Sequence, residues 1–226
     1  MFNYSSRIKK LQELAGRCDV LGDVGTDHAL VPIYMVENGL CTKAIASDLN
    51  QGPLRKASDN VRRSGLRDKI TLRLGEGLTP YVPGDCDVYV IAGMGGTLIA
   101  EILEQSPEVA HRADKLILQP NTCRAELRRF LNENGYEILD EDCAAEKKHI
   151  YVFLTVKYTG CPPKALSHAD LEMGAALQNK PEGVLYFRAL YEKMYRKLVG
   201  LKHSYNVPAD EIKAVKDLMA ILEDYI

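Results

Sequence analysis

"VLGDVGTDHALVP", residues 20–32, decides how the chain is read. An apolar run that closes in a glycine turn before a helical stretch has the form of the first strand of a nucleotide-binding α/β domain. A dinucleotide fingerprint would continue with further glycines, so that helix amides can approach a pyrophosphate. Here only Gly25 is well placed, and Asp27 and His28 follow at once. A carboxylate about 4 Å from a phosphate charge is repelled by roughly 4 kcal/mol at an effective dielectric near 20. The turn therefore argues for a ligand with positive charge. S-adenosylmethionine carries a sulfonium and an ammonium, which Asp23 and Asp27 would attract.

Reading outward, Ile8, Leu11, Leu14 and Ala15 recur at helical spacing, with Ser5 or Ser6 as N-cap. "HALVPIYMVENG" is a helix that stops at Gly39, with Pro32 in its first turns. "KAIASDL" is a second strand ending in Asp48, where an acidic residue accepts hydrogen bonds from ribose hydroxyls. That contact serves a dinucleotide and the methyl donor equally. Residues 52–64 read as a helix, "KITLRLG" as a third strand, and "GEGL" (75–78) as a loop whose glycines permit close approach to an adenine ring. "CDVYVIAGMGG" is a fourth strand running into the turn "AGMGG" (92–96), and "KLILQPN" is a fifth. "YEILDEDCAAEKKHIYVFLTVKY" holds two more, so the sheet is parallel with one late antiparallel strand. Each loop alone is as readily a structural turn as a site. Four of them at consecutive strand ends line the crevice in which such sheets bind ligands.

The pattern breaks at "TGCPPKALSH", which divides residues 1–159 from 160–226. Beyond it, Val184, Leu185, Leu190, Met194, Leu198 and Leu201 share one helical face. After a turn at Asn206/Pro208, Ile212, Val215, Met219, Leu222 and Ile226 do the same, the pattern of an antiparallel helical hairpin.

No run of 18 apolar residues and no apolar N-terminal region occurs, so a membrane span and a signal peptide are not expected and the cytoplasm is the default. Six cysteines without a CxxC pair argue against a zinc site, and no metal is expected. A net charge of −2 does not advertise a nucleic-acid binder, yet residues 55–73 hold seven basic and two acidic side chains.

The stretches "DVGTDHALVP", "AIASDLNQGPLRKA", "GEGL", "IAGMGGTLI" and "LILQPN" occur in the order found in the TrmK family of bacterial tRNA (adenine-N1)-methyltransferases, which residues 1 to about 158 resemble closely. The resemblance implies an α/β fold of class I methyltransferase (Rossmann-like) type, a seven-stranded sheet followed by the helical hairpin. It implies S-adenosylmethionine as donor and N1 of adenine 22 in tRNA as acceptor. Carried onto this chain, the donor site comprises Asp23, Gly25, Thr26, Asp27, Asp48, Leu49, Asn50, Gly75, Glu76, Gly77, Ala92, Gly93, Met94 and Gly95. Ser47-Asp48 departs from the commoner Gly-Glu, and aspartate reaches less far toward a ribose. His28 either orients the donor or contacts the target base, or else is a helix-start histidine hydrogen-bonded to backbone. Asn121 either holds the adenine edge or caps the next helix. The basic stretch and the hairpin are both expected to hold tRNA, and a monomer is expected. The competing reading is a non-catalytic scaffold that binds S-adenosylmethionine or another nucleotide and docks a partner through the hairpin.

Overall fold

The computed structural model describes residues 4–203 and 208–226. Its strands are β1 (Val20–Val24), β2 (Lys43–Asp48), β3 (Ile70–Leu74), β4 (Val88–Gly95), β5 (Lys115–Thr122), β6 (Tyr136–Glu146) and β7 (His149–Tyr158). They form one sheet in the order β3-β2-β1-β4-β5-β7-β6. The first five are mutually parallel, whereas β7 runs antiparallel to both neighbours. The central strands are apolar on both faces, as a sheet covered on both sides requires.

Helices α1 (Ser6–Ala15), α2 (Leu30–Glu37) and α3 (Gln51–Arg63) cover one face, where Leu11, Leu21, Ile33, Ala57, Val90 and Phe153 form a continuous core. The Ser5 hydroxyl accepts from the Ile8 amide, and Ser5 is the N-cap of α1. α2 is apolar nearly all round because it is buried, and Pro32, its third residue, is tolerated in the first turn. Helices α4 (Gly96–Gln105), the short α5 (Pro107–Ala110) and α6 (Arg124–Glu133) belong to the opposite face, where Ile91, Ile99, Leu103, Leu127 and Leu154 pack together.

Beyond β7 the chain forms α7 (His168–Met173), a single 3₁₀ turn, α8 (Gly183–Lys202) and α9 (Ala209–Glu223). Lys197 meets Glu211 at 2.9 Å and the Tyr191 hydroxyl meets Glu223 at 2.9 Å, so α8 and α9 run antiparallel. Asn206, part of the turn foreseen between them, lies outside the described residues. The break at 159–168 is not a break in the core. Met173, Leu177, Phe187 and Leu190 join the same apolar cluster as Leu131 and Leu154. Three elements were not foreseen: α7, whose Ser167–Asp170 pair makes a capping box, the four-residue α5 and the 3₁₀ turn Leu177–Asn179.

Candidate active site

Every βα turn of the parallel strands opens at their carboxyl ends, and there the chain leaves two adjoining depressions that share Gly25 and Ala92. The first, of about 270 Å³, is lined by Arg7, Asp23, Thr26, Asp27 and His28. The second, of about 250 Å³, is lined by Asp48, Leu49, Asn50, Gly75, Glu76, Gly77, Gly93 and Met94. Fourteen of the sixteen residues singled out in the sequence therefore border one crevice. Gly95 and Asn121 stand just behind its wall, Gly95 as the N-cap of α4.

Gly25 is where the crevice favours glycine, because its φ is +74°, and the Met94 methyl occupies the space beside it. Thr26 fixes the turn: its amide donates to the Ser47 carbonyl at 2.8 Å, and its Oγ1 accepts from the Ala29 amide at 3.1 Å. Asp23 is buried at the floor. Burial raises its pKa to about 6, against the opposing pull of the Thr26 hydrogen bond and the Arg7 charge. Tyr81 lies beneath the floor as a core residue, its hydroxyl donating to the carbonyls of Ile45 (3.2 Å) and Asp23 (3.3 Å).

At the rim, Asp48 Oδ1 accepts from the Asn50 amide at 2.7 Å, which orients the carboxylate at the end of β2. Leu49, Leu74 and Leu98 are exposed nearby, at 60%, 53% and 42%. Large apolar side chains left bare around a concave site are suited to cover a flat ring. Among the described residues His28 makes no ring hydrogen bond to backbone. Its Nε2 lies 2.9 Å from Asp27 Oδ2, and its carbonyl accepts from Asn60. Asn121 is not the cap of α6, a place taken by Cys123. It donates to the Gly93 carbonyl at 2.9 Å and accepts from Gln119, bracing the β4 turn.

Sequence reading missed Arg7. From the first turn of α1 its amide donates to Glu146 Oε2 and its guanidinium lies 5.6 Å from the centre of the Tyr151 ring. A Cβ on Gly93 would fall 2.8 Å from Arg7 Nη2, so the side chain lies against the β4 turn. No local pattern places a helix of the first turns against a loop some 85 residues on. The basic stretch 55–73 is divided by the fold. Lys56 Nζ lies 4.0 Å from Asp27 at the crevice, whereas Arg62 and Arg63 end α3 at the opposite, amino edge of the sheet. Arg73 is taken by Asp85.

A Rossmann-type sheet with an antiparallel strand inserted before its last member, and an acidic crevice over β1, β2 and β4, is the framework of a class I methyltransferase. Residues 4–154 match the family model described as a methyltransferase domain. Similarity is finer still. The Bacillus subtilis tRNA (adenine(22)-N(1))-methyltransferase is 37% identical over 153 residues, 68% of this chain and 64% of that enzyme. The chain's match thus spans just under two thirds of that relative's length. The crystal structure of B. subtilis TrmK, an m1A22 tRNA methyltransferase, superposes with a TM-score of 0.85 over all of both chains at 27% identity. A Streptococcus pneumoniae structure in complex with S-adenosyl-L-methionine gives 0.83 at 34% identity, over 96% of this chain and 100% of the other. The chain belongs to the TrmK family of tRNA (adenine(22)-N1)-methyltransferases.

Among the described residues no helix is long and apolar enough to cross a membrane, and no group of three or more His, Cys, Asp or Glu side chains is placed to hold a metal ion.

Proposed function

We propose that this chain transfers a methyl group from S-adenosylmethionine to N1 of adenine 22 in tRNA. The observation that carries the reading is the single crevice at the strand ends, acidic at its floor and rim and edged by bare leucines. The donor fits this chemistry. Asp48 faces the ribose hydroxyls, with Leu49 and Asn50 beside it, and Gly75, Glu76 and Gly77 flank the adenine. Ala92, Gly93, Met94 and Gly95 form the wall opposite Asp23, Gly25, Thr26 and Asp27. Arg7 takes the methionine carboxylate, and the aspartates take its ammonium and sulfonium. Residues 1–159 supply this site. Residues 160–226, with nine basic and nine acidic side chains, contribute to RNA holding by shape rather than net charge. A tRNA substrate places the enzyme in the cytoplasm.

When bound, the donor supplies an electrophilic methyl group. The chain's task is to hold the acceptor in line with it. N1 of neutral adenine already presents a lone pair, so no side chain has to remove a proton first, and positioning carries most of the acceleration. The adenine becomes cationic as the sulfonium is lost, and Asp27 with the carbonyls of Ala92 and Gly93 stabilises charge on that side of the crevice. Asn121 holds the Gly93 carbonyl in place. A target base stacked in RNA must first be extruded, at a few kcal/mol.

Asp48→Ala is expected to weaken donor binding by about 1–3 kcal/mol, because buried ribose hydroxyls lose their acceptor. Calorimetric titration checks this, and an unchanged affinity would remove Asp48 from the site.

Asp23 adds a pH dependence. Its folded pKa is raised from 3.8 to about 6. Between roughly pH 4 and 6 the unfolded chain has released this proton while the folded chain keeps it. This group's contribution to stability therefore falls as pH rises through that window and levels off above it. A cationic donor favours ionised Asp23, so its affinity is expected to rise from pH 5 to 7. Asp23→Asn should flatten that rise, and an equally steep rise in the variant would separate Asp23 from the donor's charge.

The functional test is single-turnover methylation against pH, with tRNA and donor saturating. The rate is expected to be nearly flat from about pH 6.5 to 8.5 in both wild type and His28→Ala, since attack by N1 requires no side chain to accept a proton. A limb that vanishes in His28→Ala would make His28 a proton acceptor.

A further inference from the structure

The cations that the sequence gathers at 55–73 are largely carried to the amino edge of the sheet, away from the crevice. A protein that acts on a base in a folded RNA needs positive charge at the carboxyl edge, beside the reacting atoms. The fold puts it there from another part of the chain. Because β7 is antiparallel to both neighbours, β6 runs parallel to β5, and the turn after Glu146 projects from the same edge as Asp48, Gly95 and Thr122. The β6–β7 ladder continues to the pair Glu146↔His149, so the turn itself is only Lys147-Lys148. Lys147, Lys148 and His149 are all exposed. Among the described residues neither lysine makes an ion pair. The turn is joined to the crevice by one residue: Arg7 donates its amide to Glu146 Oε2 while its side chain lines the crevice.

The turn also departs from local preference. Two-residue hairpin turns favour Asn-Gly or Gly-containing pairs, because they require left-handed backbone. Lys147 adopts φ +55° without being Gly or Asn. The tip thus holds a left-handed lysine and two like charges side by side where local preference favours glycine.

We propose that the Lys147-Lys148 turn grips RNA phosphates next to the target adenosine and so sets the register in which that base enters the crevice. This rests on the tRNA reading given above. Lys56, which borders the crevice from α3, is a second cation at the same edge.

The test uses the full chain with Lys147→Gly and Lys148→Ser together. Glycine suits the left-handed position, so the hairpin is retained while both charges go. Donor affinity is expected to be unchanged. The slope of log affinity for unmodified tRNA against log salt should shrink by about 1.5–2, with tRNA binding near physiological salt weaker by about tenfold. Lys147→Arg with Lys148→Arg should keep the wild-type slope. Arg62→Gln with Arg63→Gln, at the opposite edge, should change it by less than about 0.5. A wild type that methylates tRNA, with an unaltered slope in the Gly/Ser variant, would overturn this inference and leave the function standing. A wild type that neither binds nor methylates tRNA would overturn both.

Discussion

Arg128→Ala is expected to lower the thermal unfolding midpoint by roughly 10 °C or more. Arg128 is buried, 1% exposed, and its Nε donates to Glu141 Oε1 at 2.7 Å. Its Nη1 donates to the carbonyls of Leu171 at 2.6 Å and Glu172 at 3.2 Å, at the end of α7. One side chain thus ties α6, β6 and the C-terminal helices together. Removing it leaves the Glu141 carboxylate, 2% exposed, without its counter-charge and frees two carbonyls. Breaking a buried pair in this way costs about 3–5 kcal/mol, and in a chain of this size 1 kcal/mol corresponds to roughly 2–4 °C. Arg128→Met combined with Glu141→Leu should recover most of the loss, because apolar groups of similar volume replace such pairs at little cost. A single variant that melts within about 2 °C of wild type, followed by circular dichroism, would show that the pair is not what fastens these helices.

Gly96→Ala is expected to destabilise by about 3 kcal/mol and to abolish donor binding, since an added atom in a tight contact forces backbone to move. A Cβ on Gly96 would lie 2.1 Å from the Cys123 carbonyl oxygen and 2.9 Å from that of Thr122. These are backbone atoms of the turn between β5 and α6, which cannot rotate away as a side chain can. The β4–α4 and β5–α6 junctions therefore touch directly, and the strand ends that lead into them carry Gly93, Met94 and Asn121. Denaturant unfolding with a parallel donor titration checks both parts. Gly52, at the start of α3 with nothing within 4 Å of its hypothetical Cβ, is the control, and Gly52→Ala should change neither. Wild-type donor affinity in Gly96→Ala would mean that the crevice does not depend on that contact.

How far the sequence discloses this protein follows from the range of each signal. The strands and the larger helices of residues 6–158 are written in local apolar periodicity and glycine turns, and they recur with small shifts at their ends. The crevice was legible because a parallel α/β sheet collects its strand-end turns at one edge, so four separate motifs border one crevice by topology. Arg7 was not legible, since its place against Gly93 depends on how α1 packs across the sheet. Arg62 and Arg63 look adjacent to the site in sequence, but thirteen residues of helix carry α3 about 20 Å to the other edge. α7 had a signal, Ser167 followed three residues later by Asp170, which the neighbouring Pro162 and Pro163 obscured. The shared core under α8 had none, because an apolar helical face does not say what covers it.

Methyl transfer to N1 of one adenine in tRNA is decided by incubating the protein with radiolabelled S-adenosylmethionine and tRNA from bacteria lacking this modification, then locating the label by nucleoside analysis and site mapping. The expected product is 1-methyladenosine at position 22 and at no other adenine, with the label lost in Asp48→Ala at limiting donor. Tight donor binding with no label in RNA would contradict it and favour a non-catalytic binder, and label on another atom or another base would contradict the assigned acceptor.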